Sequence, residues 1–137
     1  MPKDRVFQLC DIIRETGYAI HEYLGPGHLE KVYENALAHR LGKLAIQFRC
    51  REPLAVHDED GYILGNFEAD MLVEDILIVE IKAVSSFANE HVAQLLGYLR
   101  ASGIEHGLLV NFGAGLFEIR LYVWSKGRGR QDGETLG

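Results

Sequence analysis

The sequence predicts a mixed α/β domain, with helices packed on a central sheet. Three observations carry this. Apolar residues recur at helical spacing as far as Leu41. From Ala45 the pattern shortens to that of strands. One further helical stretch, from Phe87 to Ala101, then separates the middle strands from two last ones.

The first helix is marked by Val6, Leu9, Ile13, Gly17, Ile20 and Leu24, and stops at the breaker cluster Gly25-Pro26-Gly27. A second helix is expected from near His28 to Leu41 or Gly42, with Leu29, Val32, Ala36, Leu37 and Leu41 on or beside its apolar stripe. Short strands are expected over Ala45 to Arg51 and Leu54 to His57. They lead to the turn Asp58-Glu59-Asp60-Gly61, after which Tyr62 to Val73 continues as strand. Ile76 to Ala83, rich in Ile and Val, reads as a strand buried on both faces. The third helix would be capped by Ser85 or Ser86 and ended by Gly103. Leu108 to Phe112 is a buried strand. Leu116 to Trp124 alternates, with Phe117, Ile119, Leu121 and Val123 on one face.

At 137 residues the chain suits one core and is short for two. Residues 1–125 form the expected domain, and the Gly-rich segment 126–137 (KGRGRQDGETLG) reads as a flexible polar tail. A hydrophobic content of 47% with 25% charged residues is that of a globular protein. No apolar run is long enough to span a bilayer, and the N-terminus lacks the pattern of a signal peptide. Cys10 and Cys50 are far apart and form no CxxC pair, so two free thiols in a cytoplasmic protein are expected, without disulfide or structural zinc. The six histidines show no zinc spacing. His28 and His91 fall near the elements singled out below. A net charge of −6 argues against coating nucleic acid by charge alone. Arg40, Lys43, Arg49 and Arg51 form a loose basic patch suited to a phosphate backbone, or simply a solvated face.

The chemistry concentrates in the segment from Glu68 to Lys82. Asp70 lies in one apolar strand, and Glu80 and Lys82 lie in the next. Charges in apolar strands are costly unless paired, hydrated or metal-bound. Glu80 and Lys82, two apart, share a face. A three-residue loop at Glu74-Asp75-Ile76 pairs Val73 with Leu77 and sets Asp70 opposite Glu80. A two-residue loop would send Asp70 to the other face. Two adjacent carboxylates call for a cation or a proton between them, and a hard oxygen site of this kind suits Mg²⁺ or Mn²⁺. The plain alternative is an Asp-Lys or Glu-Lys ion pair with no metal. A paired-carboxylate glycosidase is disfavoured, because no sugar-stacking aromatics flank the acids.

The Asp70…Glu80-x-Lys82 set, with its element order, resembles the PD-(D/E)xK nuclease superfamily, in which Ala69 stands where the pattern has Pro. More specifically, Gly27-His28-Leu29-Glu30-Lys31-Val32-Tyr33 resembles the signature of the GxxExxY family. The segments Ala93 to Ala101 and Gly107 to Gly113 are similar to that family too. The resemblance spans residues 5 to 124. It implies a restriction-endonuclease-like αβββαβ core and a metal-dependent nuclease acting on DNA or RNA. Asp70, Glu80 and the Ile81 carbonyl would hold Mg²⁺ (or Mn²⁺), and Lys82 would position the water. It also makes Glu30 an added site acid and metal ligand, and Gln94 a site residue on the third helix. The alternatives are a helix-start acid favoured by the dipole and an exposed helix amide. Tyr33 and Glu34, one turn after Glu30, can face the same cleft. The competing reading is a catalytically silent module of the same fold that binds nucleic acid or a protein partner. A homodimer through the edge of the alternating last strand is also expected to be possible.

Overall fold

The computed structural model describes residues 2–125 and 130–135. Among them the elements run α1 (Pro2–Leu24), α2 (Glu30–Lys43), β1 (Phe48–His57), β2 (Ile63–Val73), β3 (Leu77–Lys82), α3 (Asn89–Ser102), β4 (His106–Asn111), β5 (Glu118–Ser125) and β6 (Arg130–Thr135). The strands make one sheet in the order β1-β2-β3-β4-β5-β6. Every neighbouring pair is antiparallel except β3 and β4. A parallel pair needs a crossover, and α3 supplies it.

Helices cover both faces of the sheet, so the middle strands are buried on both sides, as the Ile/Val-rich β3 requires. On one face, Val6, Leu9, Ile13 and Ile20 of α1 and Tyr33, Leu37 and Leu41 of α2 meet Met71, Val73, Val79, Ile81, Val110 and Ile119. On the other, Leu95, Leu96 and Leu99 of α3 meet Ala69, Leu72, Ile78 and Leu109. Two glycines allow close approach. A Cβ on Gly17 would strike the Phe117 ring, and one on Gly107 would meet Leu95 at 2.8 Å. Arg5 bonds both Glu74 carboxylate oxygens, at 2.8 and 2.7 Å, and so ties α1 to the β2–β3 turn.

The expected elements are present, with local differences. The two short strands before Asp58 are one continuous strand, β1. The stripe on α2 is Tyr33, Leu37 and Leu41, whereas Leu29 (79% exposed) precedes the helix and Val32 faces outward. Residues four apart drift little around a helix, so the 33-37-41 row wins. Neither Ser85 nor Ser86 caps α3. The N-cap is Ala88, whose N–H donates to His91 Nδ1 at 3.0 Å, while Gly103 (φ +75) ends the helix as expected. The segment read as a polar tail contains β6 at 130–135, which pairs with β5. Residues 126–129 and 136–137 lie outside the described residues. With β6 paired along the outer edge of β5, the edge of the sheet on that side is β6. Cys10 is buried and Cys50 exposed, and both are free thiols. Among the described residues no helix is long and apolar enough to cross a membrane.

A candidate metal centre at an opening in the sheet

The turn between β2 and β3 sets the site. Glu74 (φ +50) and Asp75 (φ +61) are both left-handed, and Ile76 N–H donates to Val73 C=O at 3.1 Å. The loop has the odd length the sequence called for, and the register is Val73↔Leu77, Leu72↔Ile78, Met71↔Val79. The next rung belongs to Asp70 and Glu80, and there side chains replace the ladder bonds. Ile81 N–H donates to Asp70 Oδ2 at 2.8 Å, and Asp70 N–H donates to Glu80 Oε2 at a long 3.4 Å. The two carboxylates therefore wedge β2 and β3 apart while satisfying the backbone donors they displace.

Glu80 is 4% exposed, and its Oε1 has no hydrogen-bond partner. Burial, then a hydrogen bond shared with Asp70, then the charge of Asp70 push its carboxyl up to about 9, against a smaller lowering by Lys82. Without a cation the pair thus holds a proton at neutral pH. Lys82, half-buried at the end of β3, acts on Glu80 and Glu30 through its charge, yet closes no ion pair with either acid among the described residues. The metal-free ion pair considered above is therefore not what the structure contains. The strand end itself is clamped, because Lys82 C=O accepts from Phe112 N–H at 2.9 Å. Buried Asn111 adds bonds to Val84 N–H (3.0 Å), Val84 C=O (2.9 Å) and Gly113 N–H (2.9 Å).

The helix acids are placed by Tyr33. Its buried ring stacks on Phe112 at 4.8 Å, its hydroxyl donates to Gly25 C=O at 2.6 Å, and it accepts from His28 N–H at 3.1 Å. Gly27 (φ +111) supplies a backbone conformation that other residues rarely adopt. The motif residues Gly27 and Tyr33 thus lock the entry to α2, and Tyr33 faces the core, not the cleft. Glu30 opens toward solvent at the site's rim. Partial desolvation raises its carboxyl, Lys82 and His91 pull it down, and Asp70 and Glu34 push it up. It does not close with Asp70 and Glu80 into a single cluster. Among the described residues no group of three or more His, Cys, Asp or Glu side chains is placed to hold a metal. Glu34, by contrast, is buried. Its Oε2 accepts from Arg51 Nη2 at 3.3 Å, and Lys31 Nζ lies 3.6 Å from its Oε1.

Gln94 is exposed on α3. Tyr98, one turn later, was missed by the sequence reading. Its hydroxyl is raised by burial and by the charges of Glu80 and Asp70, against a hydrogen bond with Gln94, and its ring stacks on Phe67 at 3.9 Å. The signal was available, since residues four apart share a helix face. The expected basic patch divides. Arg49 is paired with Glu52 (3.0 Å) and Asp75 (2.6 Å), and Arg51 with Glu34. Arg40 and Lys43 line a separate cleft of about 510 Å³ with Thr16 and His39.

The set of two apposed carboxylates, one with an unpartnered buried oxygen, fits a hard divalent cation whose remaining positions are filled by carbonyl and water oxygens. No curated protein matches the chain. A family model, that of the PD-(D/E)XK nuclease superfamily, matches residues 7–121. Since that match runs from α1 into β5, the chain belongs to the PD-(D/E)XK nuclease superfamily.

Proposed function

We propose that the protein is a metal-dependent phosphodiester hydrolase acting on nucleic acid, and that within its superfamily it is a GxxExxY protein. The observation that carries the reading is the rung of Asp70 and Glu80, where two carboxylates replace ladder bonds and one buried oxygen is left without a partner. A fold gains nothing in stability from such a group unless a ligand completes it.

Asp70, Glu80 and the Ile81 carbonyl would hold Mg²⁺ or Mn²⁺, with Glu30 as an added acid from the rim. When bound, the ion supplies charge for the scissile phosphate and a water of lowered pKa. The chain's own residues do the rest. Lys82, free of an ion pair, orients the attacking water or takes up charge that develops on the phosphate. Ile81 N–H holds Asp70 in one rotamer. Gln94 and Tyr98 offer an amide and a hydroxyl on the α3 side of the acids.

The test is cleavage of labelled single- and double-stranded DNA and RNA with Mn²⁺, with Mg²⁺ and with chelator, beside Asp70→Ala and Lys82→Ala. Metal-dependent cleavage lost in both variants is the expected result. Cleavage surviving in both would remove the assignment. Folded, metal-binding protein without cleavage would favour the silent binding module, a reading consistent with the net charge of −6 and the ion-paired Arg49 and Arg51.

A further inference from the structure

We infer that Glu34 and Arg51 form a positioning pair that sets the angle of Asp70 and couples it to α2. The functional consequence rests on the proposed acid site, but the pairing itself does not.

Four observations converge. First, Arg51 is left-handed (φ +55), a conformation Gly or Asn adopts far more readily. Second, it stands at a gap in the β1–β2 register, between Cys50↔Met71 and Glu52↔Ala69, so by the count on either side it lies across from Asp70. Third, both strands change faces there. Ala69 packs under α3 while Met71 and Val73 pack under α1 and α2, and Leu54 packs under α3 while Phe48 joins the opposite core. A regular strand would keep residues 69, 71 and 73 on one face. The kink frees Asp70 from both helix layers and lets its carboxylate reach Ile81 N–H on β3.

Fourth, the Arg51 guanidinium meets Oε2 of Glu34, a side chain 4% exposed whose other oxygen, Oε1, makes no hydrogen bond and has Lys31 Nζ at 3.6 Å. Glu34 lies one turn after Glu30 on α2. A buried carboxylate is expensive to keep, and none of the chemistry assigned above uses this one. Its place is explained if it anchors the Arg51 side chain, which projects from the kink on the β1 side. The pair then fixes the separation between the helix that carries Glu30 and the strand that carries Asp70.

The test is residue-resolved amide hydrogen exchange on Glu34→Gln, Arg51→Gly and the double variant, without metal. Arg51→Gly accommodates the left-handed backbone without strain and removes the side chain that carries the guanidinium. Protection at Ile81 N–H should fall by about tenfold or more in each single variant and no further in the double, with Leu108 and Val110 unchanged. Mn²⁺ affinity should fall in parallel. Unchanged protection at Ile81, an equal loss across β3 and β4, or losses that multiply in the double variant would each overturn the pair. Cleavage by the wild-type chain tests the nuclease reading alone, so failure of one does not mimic failure of the other.

Discussion

Metal-free Glu80 keeps its proton to about 9, against an ordinary 4.5, because burial and the neighbouring Asp70 disfavour its charged form. The sign of the effect on stability follows. Between those two values the unfolded chain has released a proton that the folded chain still binds, so stability that is complete below 4.5 is lost as the pH rises through 9. Chelator-treated wild type should therefore unfold at lower urea concentration at pH 9 than at pH 5. Glu80→Gln, which cannot ionise, should flatten that slope, and a slope unchanged in the variant would assign the effect elsewhere. Mn²⁺ competes with the same proton, so its affinity should rise with pH over this range in calorimetric titrations. Tyr33 gives a second residue-scale expectation. Tyr33→Phe keeps the stack on Phe112 but strands Gly25 C=O and His28 N–H. It should cost about 1–3 kcal/mol in denaturant unfolding.

Between elements, contacts at glycine decide how closely the layers approach. Gly17 lets α1 lie against Phe117 just before β5, where an added Cβ meets the end of the ring. Helix propensity alone would favour Ala there by up to about 1 kcal/mol, but overpacking costs about 1–3 kcal/mol. Gly17→Ala should therefore lower stability on balance, and Phe117→Leu in the same chain should restore part of it, because the ring is the obstacle. At Gly113 the obstacle is the Ala83–Val84 backbone, which cannot swing aside. Gly113→Ala should shift the end of β3 and with it Lys82. Thermal unfolding, together with chemical-shift changes at Lys82 and Asn111, would register this. No change at either would show that the crossing is not held by this contact.

Across the whole molecule, stability is expected to be uneven. The β1–β2 ribbon extends past the rungs where β3 supports β2, and its far end exposes Tyr62 (70%), Ile63 (55%) and Leu64 (60%). A two-stranded ribbon without a third strand is marginally stable. Amides from 54 to 66 should exchange well before those of 71–73, 77–81 and 107–110, and equal rates would mean that something else supports the ribbon. The acid rung lies where this weakly supported ribbon joins the closed sheet, so ordering the rung with Mn²⁺ should slow exchange in its nearest residues first.

The sequence by itself determined the order of elements as far as β5, and it tied the apposition of Asp70 with Glu80 to an odd loop at Glu74-Asp75-Ile76. Each of these is a local property, set by hydrophobic period, turn chemistry and a two-residue strand repeat. Gly103 as the end of α3 was legible for the same reason. Most of what it did not determine depends on neighbours that packing brings together. The stripe of α2 is chosen by Phe112, which stacks on Tyr33. Ser85 and Ser86 lose the cap to His91 of α3 itself. The basic patch divides because Glu52 and Asp75 pair with Arg49 and Glu34 pairs with Arg51, away from Arg40 and Lys43. β6 was hidden because a polar, Gly-rich segment carries no burial pattern, and only the free edge of β5 gives it a partner. The kink at Arg51 was invisible as well, since a left-handed arginine has no composition signal. Arg51 meets Glu34 of α2 where β1 turns, and only the packed tertiary structure brings those two together.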